Sequence, residues 1–311
     1  MIHARNDSNL TASIFLILFL CIALAYAAAR LFGAGRYTPW ERLLYSPVYA
    51  LARILWRVEI VWSETGWEHS NPQPFNSREH LLAERLQEGA LLVANHRCSL
   101  DPFFIQLISG KRVHWMVAGE YFRHRLFGPI LRSYQAIPTN RGGVDTASTK
   151  RAIALARSGR FVGMFPEGRI NRTYAPLLSI RPGAAIVAQR ANVPLIPIWI
   201  QGAPRGWAVY SGLFMAAKVK IFVGCPRREA ISALEINSVQ DDDRPTNSST
   251  EGELPESLET NNTETHSARS HRTQARNDAC KWISDVMQES LTLGGHCDES
   301  IGIAGRKWLD N

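Results

Sequence analysis

Between residues 90 and 224 the sequence alternates short apolar runs with longer amphipathic stretches, and this alternation restricts the fold more than any other feature. The runs that predict strands are ALLVA, RVHWMVA, RFVGMF, VPLIPIWI and KVKIFVG, and the stretches that predict helices are DPFFIQLIS, DTASTKRAIALARSG and PGAAIVAQRA. In the second of these helices, Asp145 stands where an N-cap is expected and Gly159 where a helix ends. We therefore predict an α/β domain in which helices flank a sheet.

An uncharged segment of twenty residues, Leu10–Ala29, precedes this region. As a helix it would be about 30 Å long, which matches the hydrocarbon core of a bilayer. Only Arg5 precedes it among arginines and lysines, whereas Arg30, Arg36, Arg42, Arg53 and Arg57 follow it. We predict that residues 1–35 form a single transmembrane anchor, with the rest of the chain in the cytoplasm. The alternatives are a cleaved signal peptide, for which residues 25–27 offer an A-x-A site, and a buried core helix.

Residues 40–62 place apolar side chains near helical spacing, with an interruption at Pro47. The apolar positions are Trp40, Leu43, Leu44, Val48, Leu51, Leu55 and Trp56, and arginines occupy the other face. The pattern fits an interfacial helix that lies on a membrane. It fits equally an ordinary helix packed on the domain, and both interpretations stay open.

Charge is distributed unevenly along the 311 residues. The chain carries a net charge of +7, but Gln240–Thr265 holds eight acids and one base, which leaves +14 on the remainder. A basic body suggests anionic partners, such as phosphate groups, nucleic acid or an acidic membrane.

A polar segment follows the last predicted strand. Residues 232–276 are rich in Ser, Thr, Asn, Asp and Glu and contain few large apolar side chains. Such a composition buries too little apolar surface to fold, and we predict a disordered acidic insertion. Residues 277–311 are predicted to form a C-terminal helix and tail, because Ala279, Ile283, Val286 and Met287 share one helical face.

The five cysteines are odd in number and include no CxxC pair. This pattern argues against a disulfide framework and against a zinc site, and we expect no metal. Cys98 stands two residues from His96, but nothing marks it as a nucleophile. We interpret it as a small side chain that fills space in a loop.

The stretch VANHRCSLDP, residues 93–102, places a polar Asn95-His96 pair directly after an apolar strand. Asp101 and Pro102 are explained by a helix start, with Asp as N-cap and Pro at the first position. A strand-to-helix loop also allows the Asp101 carboxylate to fold back onto the His96 imidazole. The carboxylate would then fix the tautomer and leave the other ring nitrogen as a base.

Two more polar loops follow predicted strands. AIPTNRGG, residues 136–143, contains Arg141, and MFPEGRINR, residues 164–172, contains Glu167, Gly168 and Arg169. Ligands of open α/β sheets bind outside the carboxyl ends of the strands. Arginine at such a place suits a phosphate group, to which it donates paired, charge-assisted hydrogen bonds.

Together these stretches resemble the glycerophospholipid acyltransferase family, the lysophosphatidate acyltransferases and their relatives. NHRCSLD matches the family's N-H-x4-D block, AIPTNR resembles its second block, FPEGR matches its F-P-E-G block, and VPLIPIWIQG resembles its fourth block. The resemblance covers roughly Arg42–Gly224 and implies an acyltransferase-type mixed sheet in an acyltransferase domain of residues 36–231. Arg169 stands where threonine is common and Thr139-Asn140 where apolar residues are common, which leaves the acceptor open.

The resemblance implies direct acyl transfer without a cofactor. His96 would deprotonate the acceptor hydroxyl, and Asp101 would orient His96 and stabilise the imidazolium. Arg141 and Arg169 would hold the acceptor phosphate, while Glu167 and Gly168 shape its pocket.

The expected reaction moves a fatty acyl group from acyl-CoA or acyl-carrier protein to a lysophospholipid, most simply 1-acylglycerol 3-phosphate. The expected partners are therefore membrane lipids and the acyl donor, and neither nucleic acid nor a metal. Glycerol 3-phosphate, another lysolipid or an aminolipid are alternative acceptors. An esterase, in which His96 activates water, and a non-enzymatic module that binds membrane surfaces are the alternatives of other classes.

Overall fold

A mixed sheet of seven strands forms the centre of the computed structural model, which describes Phe19 and residues 37–63, 81–140, 145–204, 211–228 and 261–295. The strands are β1 (Glu59–Trp62), β2 (Ala90–Ala94), β3 (Val113–Ala118), β4 (Ile137–Thr139), β5 (Phe161–Met164), β6 (Leu195–Gln201) and β7 (Lys220–Val223). Their order across the sheet is β1-β7-β6-β2-β5-β3-β4. Neighbouring strands are parallel except β6 and β7, which are antiparallel. The predicted mixed α/β sheet is confirmed.

Helices cover both faces of this sheet. They are α1 (Pro39–Ile54), α2 (Leu82–Arg85), α3 (Asp101–Ser109), α4 (Gly119–Phe122), α5 (Phe127–Ser133), α6 (Thr146–Arg157), α7 (Gly183–Ala191) and α8 (Asn261–Gly295). Buried residues of α1 and α3 share one hydrophobic cluster, and those of α6, α7 and α8 share another. In β2, Leu91 and Val93 belong to the second cluster, and Ala90, Leu92 and Ala94 belong to the first. A strand covered on both faces in this way is apolar at every position, as ALLVA is.

Several element boundaries agree with the sequence. Helix α3 is the predicted DPFFIQLIS, and it ends at Gly110 in the left-handed conformation. Helix α6 begins after Asp145, whose side chain accepts a hydrogen bond from the Ser148 N–H, and Gly159 follows with a φ of +81°. These caps satisfy backbone groups that the helix itself leaves unpaired.

Helix α1 runs without a break through Pro47 and packs on the domain. Thr38 and Glu41 form a reciprocal capping box at its start. Tyr45, Tyr49 and Ala52 are buried in the first cluster, and this burial offsets the backbone hydrogen bond that proline removes. Of the two interpretations of this stretch, the structure favours a helix packed on the domain.

Helix α8 corrects the predicted boundary of the acidic insertion. The helix begins at Asn261, so residues 261–276 are helical and their assignment to a disordered segment is wrong. These residues include neither Gly nor Pro, and adding turns to a helix that is already docked avoids the cost of nucleation. The predicted apolar face is confirmed, because Ala279, Ile283, Val286 and Met287 are all buried.

Two predictions concern residues outside the described part of the chain. Apart from Phe19, the predicted anchor Leu10–Ala29 lies outside it, and so does Arg141. Among the helices that are described, none combines the length and the apolar character needed to cross a bilayer.

The docking of α8 can be tested at Ile283, which is fully buried. We expect Ile283→Ala to lower the free energy of unfolding by about 2–5 kcal/mol, because it removes buried apolar groups and leaves a cavity. Thermal unfolding of the full chain in detergent measures the effect. Lys281→Ala, at an exposed position two residues away, is the control and should leave the midpoint nearly unchanged. Equal midpoints for the two variants would contradict the docking of this helix.

Candidate active site

Two polar loops meet at one edge of the sheet, because the strands that precede them are parallel neighbours. Val93 of β2 pairs with Met164 of β5, so Asn95-His96 and Phe165–Gly168 leave the sheet side by side. Asn95 is fully buried and bridges to β6: its Nδ2 donates to the Ile200 carbonyl at 2.9 Å and its Oδ1 accepts from the Ile200 N–H at 2.7 Å. The residue before His96 is therefore fixed to two strands at once.

Asp101 turns its carboxylate back onto the loop that carries His96. Oδ2 accepts hydrogen bonds from His96 Nδ1 at 2.9 Å, from the Arg97 N–H at 2.6 Å and from the Cys98 N–H at 2.8 Å. Oδ1 accepts from the Cys98 thiol at 3.2 Å. Asp101 is the first residue of α3, and Leu100 is its N-cap, so the N-cap role considered for Asp101 is wrong. The predicted fold-back onto the imidazole is confirmed.

The His96 ring is held in one orientation. An ionised carboxylate can only accept, so Nδ1 carries the proton and Nε2 remains as the basic nitrogen. The ring stacks on Phe165 with centroids 4.0 Å apart, and Phe165 stacks on Trp115 at 4.9 Å. A Cβ at Gly163 would lie 2.5 Å from Cε3 of Trp115, so the glycine makes room for this indole. The His96 side chain is 17% exposed, and a substrate can reach it.

Glu167 braces the loops. It is buried, and its Oε1 accepts from the His96 N–H at 2.8 Å while its Oε2 accepts from the Leu178 N–H at 2.9 Å. The His96 carbonyl in turn accepts from the Asn171 N–H at 2.7 Å. Both Glu167 oxygens thus bind backbone groups of the protein, which suits a residue that shapes the pocket.

Gly168 allows an arginine to approach the same loop. Its φ is +67°, and a Cβ there would lie 2.8 Å from Nε of Arg181. Arg181 is exposed and lies across the glycine, while its backbone N–H donates to the Pro166 carbonyl at 2.9 Å. Arg169, the next residue of the loop, is also exposed. Sequence reasoning missed Arg181; the signal was an arginine directly before the Pro-Gly that opens α7.

Arg97 joins the His96 loop to the segment after Arg169. Its guanidinium donates to the Thr173 carbonyl at 2.8 Å and to the Ala175 carbonyl at 2.9 Å. The structure thus brings together His96, Asp101, Glu167, Gly168 and Arg169 at one edge of the sheet, and it adds Arg97 and Arg181 to them. Within the part of the chain that is described, no three His, Cys, Asp or Glu side chains gather as metal ligands.

Cys98 supports Asp101 and has no features of a nucleophile. Burial raises the pKa of its thiol well above the ordinary value, and the negative charge of Asp101 raises this pKa further. The thiol therefore stays protonated at neutral pH and donates to the carboxylate. This environment agrees with the interpretation of Cys98 as a small residue that fills the loop.

Known proteins match this chain over the region of the site. The sequence model of a family described as Acyltransferase matches residues 70–201. A 1-acyl-sn-glycerol-3-phosphate acyltransferase of Bacillus subtilis (strain 168) is 32% identical over 155 residues, which are 50% of this chain and 73% of that protein. An N-acylphosphatidylethanolamine synthase of Arabidopsis thaliana is 28% identical over 127 residues, which are 38% and 44% of the two chains.

A solved structure also aligns with this chain. It is the 1-acyl-sn-glycerophosphate acyltransferase of Thermotoga maritima, with a TM-score of 0.43 and 16% sequence identity. The alignment covers 72% of this chain and 86% of the other.

The raised pKa of Cys98 predicts its reactivity. In the native protein at pH 8, we expect iodoacetamide to leave Cys98 unmodified, because the thiolate is the reactive form and burial disfavours it. Cys225, which is partly exposed, is the internal control and should be alkylated first. Peptide mass spectrometry over a time course measures both residues. Alkylation of Cys98 as fast as Cys225 would contradict the protected, protonated thiol described above.

Proposed function

Because the chain belongs to the glycerophospholipid acyltransferase family and is an O-acyltransferase, we propose that it acylates the hydroxyl of a lysophospholipid. The preferred acceptor is 1-acylglycerol 3-phosphate, and the donor is acyl-CoA or acyl-carrier protein. The Bacillus subtilis relative, which is named as a 1-acyl-sn-glycerol-3-phosphate acyltransferase, supports this acceptor. The observation that carries the proposal is the 2.9 Å hydrogen bond between His96 Nδ1 and Asp101, which leaves Nε2 as a base.

In the proposed reaction, His96 Nε2 takes the proton of the acceptor hydroxyl while the oxygen attacks the thioester carbonyl. A tetrahedral intermediate forms and then expels the thiolate of the donor. The imidazolium returns its proton to that thiolate, so His96 ends the cycle as it began. The Asp101 carboxylate stabilises the imidazolium, and the Phe165 ring keeps the imidazole in plane with this hydrogen bond.

The acceptor phosphate requires cations beside the base. Arg169 is exposed in the Glu167-Gly168 loop, and the side chain of Arg181 lies across Gly168. Arginine binds phosphate through paired hydrogen bonds. We propose that these two residues, with Arg141 from the family's second block, bind the phosphate while the hydroxyl reaches His96.

The proposed reaction takes place at a membrane. Leu10–Ala29 is proposed as the single membrane span, and the arginines after it orient the domain toward the cytoplasm, where thioester donors are made. A lipid acceptor would then not need to leave the bilayer. The rival is a cleaved signal peptide at residues 25–27, which would place the domain outside and exclude soluble acyl-CoA as the donor.

An acceptor panel tests the proposal directly. Membranes containing the full chain are incubated with radiolabelled acyl-CoA or acyl-carrier protein and with lysophosphatidate, glycerol 3-phosphate, lysophosphatidylethanolamine or phosphatidylethanolamine. The name of the Arabidopsis thaliana relative favours an amine as the second candidate acceptor. Acylated lysophosphatidate as the main product supports the proposal. Labelled N-acyl lipid would support the second candidate, and free fatty acid alone would indicate an esterase.

The general base can be tested by substitution. We expect His96→Ala to lower kcat by about 10² to 10⁴, because it removes the group that takes the hydroxyl proton. The control is His271→Ala, which removes a histidine from helix α8 and should retain most activity. Initial rates with purified variants, matched by circular dichroism, give the comparison. Activity of the His96 variant within a few-fold of the parent would refute the mechanism.

The arginines can be tested through the two Michaelis constants. We expect Arg141→Ala, Arg169→Ala and Arg181→Ala each to raise KM for the acceptor about tenfold or more, since each removes a charged hydrogen bond to phosphate. KM for the donor should change far less. Arg160→Ala, an exposed position before β5 at the other edge, is the matched control. An unchanged acceptor KM for any one variant would remove that residue from the phosphate site.

A further inference from the structure

The large apolar side chains that the described residues expose are concentrated at the edge of the sheet that carries His96. Tyr121, Leu126 and Ile130 follow the carboxyl end of β3, and Tyr174 follows that of β5. Phe214 and Met215 lie between β6 and β7. Leu126 is 71% exposed, and Tyr174 and Phe214 are each 81% exposed. Isolated exposed apolar residues are ordinary, but several on one side of a domain indicate a binding surface.

The sheet topology places these residues on one side. Strands β2, β5 and β3 are parallel, so the loops after them share an edge. Strand β6 is also parallel to β2 and pairs Gln201 with Lys220 of β7, which puts the intervening residues at that edge too. A Cβ at Gly212 would lie 3.1 Å from Cδ1 of Leu100, which is four residues after His96. The segment that exposes Phe214 therefore borders the His96 loop.

Ile54 belongs to the same side. It is exposed at the end of α1, just before β1. Strand β1 is parallel to β7 and therefore opposite in direction to β6, so its amino end lies at the edge where β6 ends. Apart from Phe19, every large apolar side chain that the described residues expose therefore lies on the side of the sheet that carries His96. The loops of the other edge, 86–89, 110–112, 158–160 and 192–194, expose none.

Charge indicates what covers this surface. The segments 121–132, 169–181 and 211–218 together contain seven arginines and lysines and not one aspartate or glutamate. Arg123, Arg125 and Arg132 are exposed beside Leu126 and Ile130. Apolar side chains interleaved with bases are the composition of surfaces that insert shallowly into anionic lipid. An anionic bilayer offers phosphates directly beside apolar chains, so this one occupant accounts for both the bases and the apolar side chains.

We propose that segments 121–132, 169–181 and 211–218 form a docking rim that rests on an anionic bilayer and encloses the entrance to His96. The proposal rests on the proposed function for its purpose, since a lipid acceptor would pass from the bilayer into the site without crossing water. The apolar tips would insert between headgroups. The bases other than Arg169 and Arg181, which are proposed to bind the acceptor, would contact lipid phosphates. An anchor at the N-terminus keeps the domain near the membrane but does not orient it; the rim would do so.

Docking can be measured without catalysis. The full chain, without acyl donor, is placed in nanodiscs of phosphatidylglycerol, in nanodiscs of phosphatidylcholine and in detergent, and hydrogen–deuterium exchange is followed by mass spectrometry. We expect slower exchange of residues 121–132 and 211–218 in the anionic nanodiscs than in the other two media. Residues 86–89 and 158–160 should exchange equally in all three. Equal exchange of the rim in all media would overturn the proposal, and so would concentration-dependent protection in detergent, which would indicate a second copy on the rim.

Variants connect docking to turnover. We expect the double variant Leu126→Ser, Phe214→Ser to lose about tenfold or more of the rate on long-chain lysophosphatidate in anionic vesicles, because it removes two inserted side chains. The rate on a short-chain lysophosphatidate dissolved as monomers should stay within about twofold. Equal loss on both acceptors would overturn the proposal, since a docking surface does not act on a dissolved substrate.

The charges have a matched control. Arg123→Gln with Arg125→Gln should lower the vesicle rate and weaken its dependence on salt, whereas Arg157→Gln with Arg160→Gln, the same change of charge at the other edge, should not. Equal effects of the two pairs would overturn a role for the rim. If neither acceptor is acylated by the parent enzyme, the proposed function fails, and the exchange experiment still tests the rim.

Discussion

The buried carboxylate of Asp101 is the constraint on which the site depends. A charge removed from water is costly unless donors surround it, and here the donors are two backbone N–H groups, one thiol and the His96 ring. All of them come from a single short loop, so that loop must adopt the conformation in which they converge. The hydrogen bonds that satisfy the buried carboxylate therefore also orient the imidazole. The group that is proposed to take a proton is fixed by the same contacts that keep the chain folded there.

A second buried carboxylate extends this arrangement to the neighbouring loop. Glu167 connects the backbone of His96 to that of Leu178, and Arg97 ties the same region to the Thr173 and Ala175 carbonyls. The proposed base is thus positioned relative to the loop that carries Arg169 through hydrogen bonds between side chains and the backbone. Such hydrogen bonds are short and allow the two loops to move little relative to each other. This suits the proposed reaction, in which a hydroxyl and a phosphate of one molecule must be placed together.

Much of the fold and of the site could be predicted from the sequence, because short-range sequence signals determine the elements that carry the site. Strand β2 and helix α3 are bounded by an apolar run, a polar pair, an Asp-Pro start and a glycine stop, and each signal acts within a few residues. The start of α8 at Asn261 could not be predicted, since polar residues join a helix only when a distant docked face holds it. The contact of Arg181 with Gly168 depends on the path of the twelve residues between them. The continuous α1 depends on tertiary burial that outweighs the effect of Pro47.

Gly163, which lies within strand β5, affects the geometry of the site although it is not part of it. The missing side chain on β5 leaves the space in which the Trp115 indole lies flat, and the Phe165 and His96 rings are stacked on it in turn. A methyl group at this position would push against an indole, and the displacement would pass through two ring contacts to the imidazole. The interior of the strand and the nitrogen of the proposed base are thus mechanically coupled. A substitution at Gly163 would therefore disturb the packing of the core and the orientation of the proposed base together, so that a loss of stability and a loss of activity would have one structural cause.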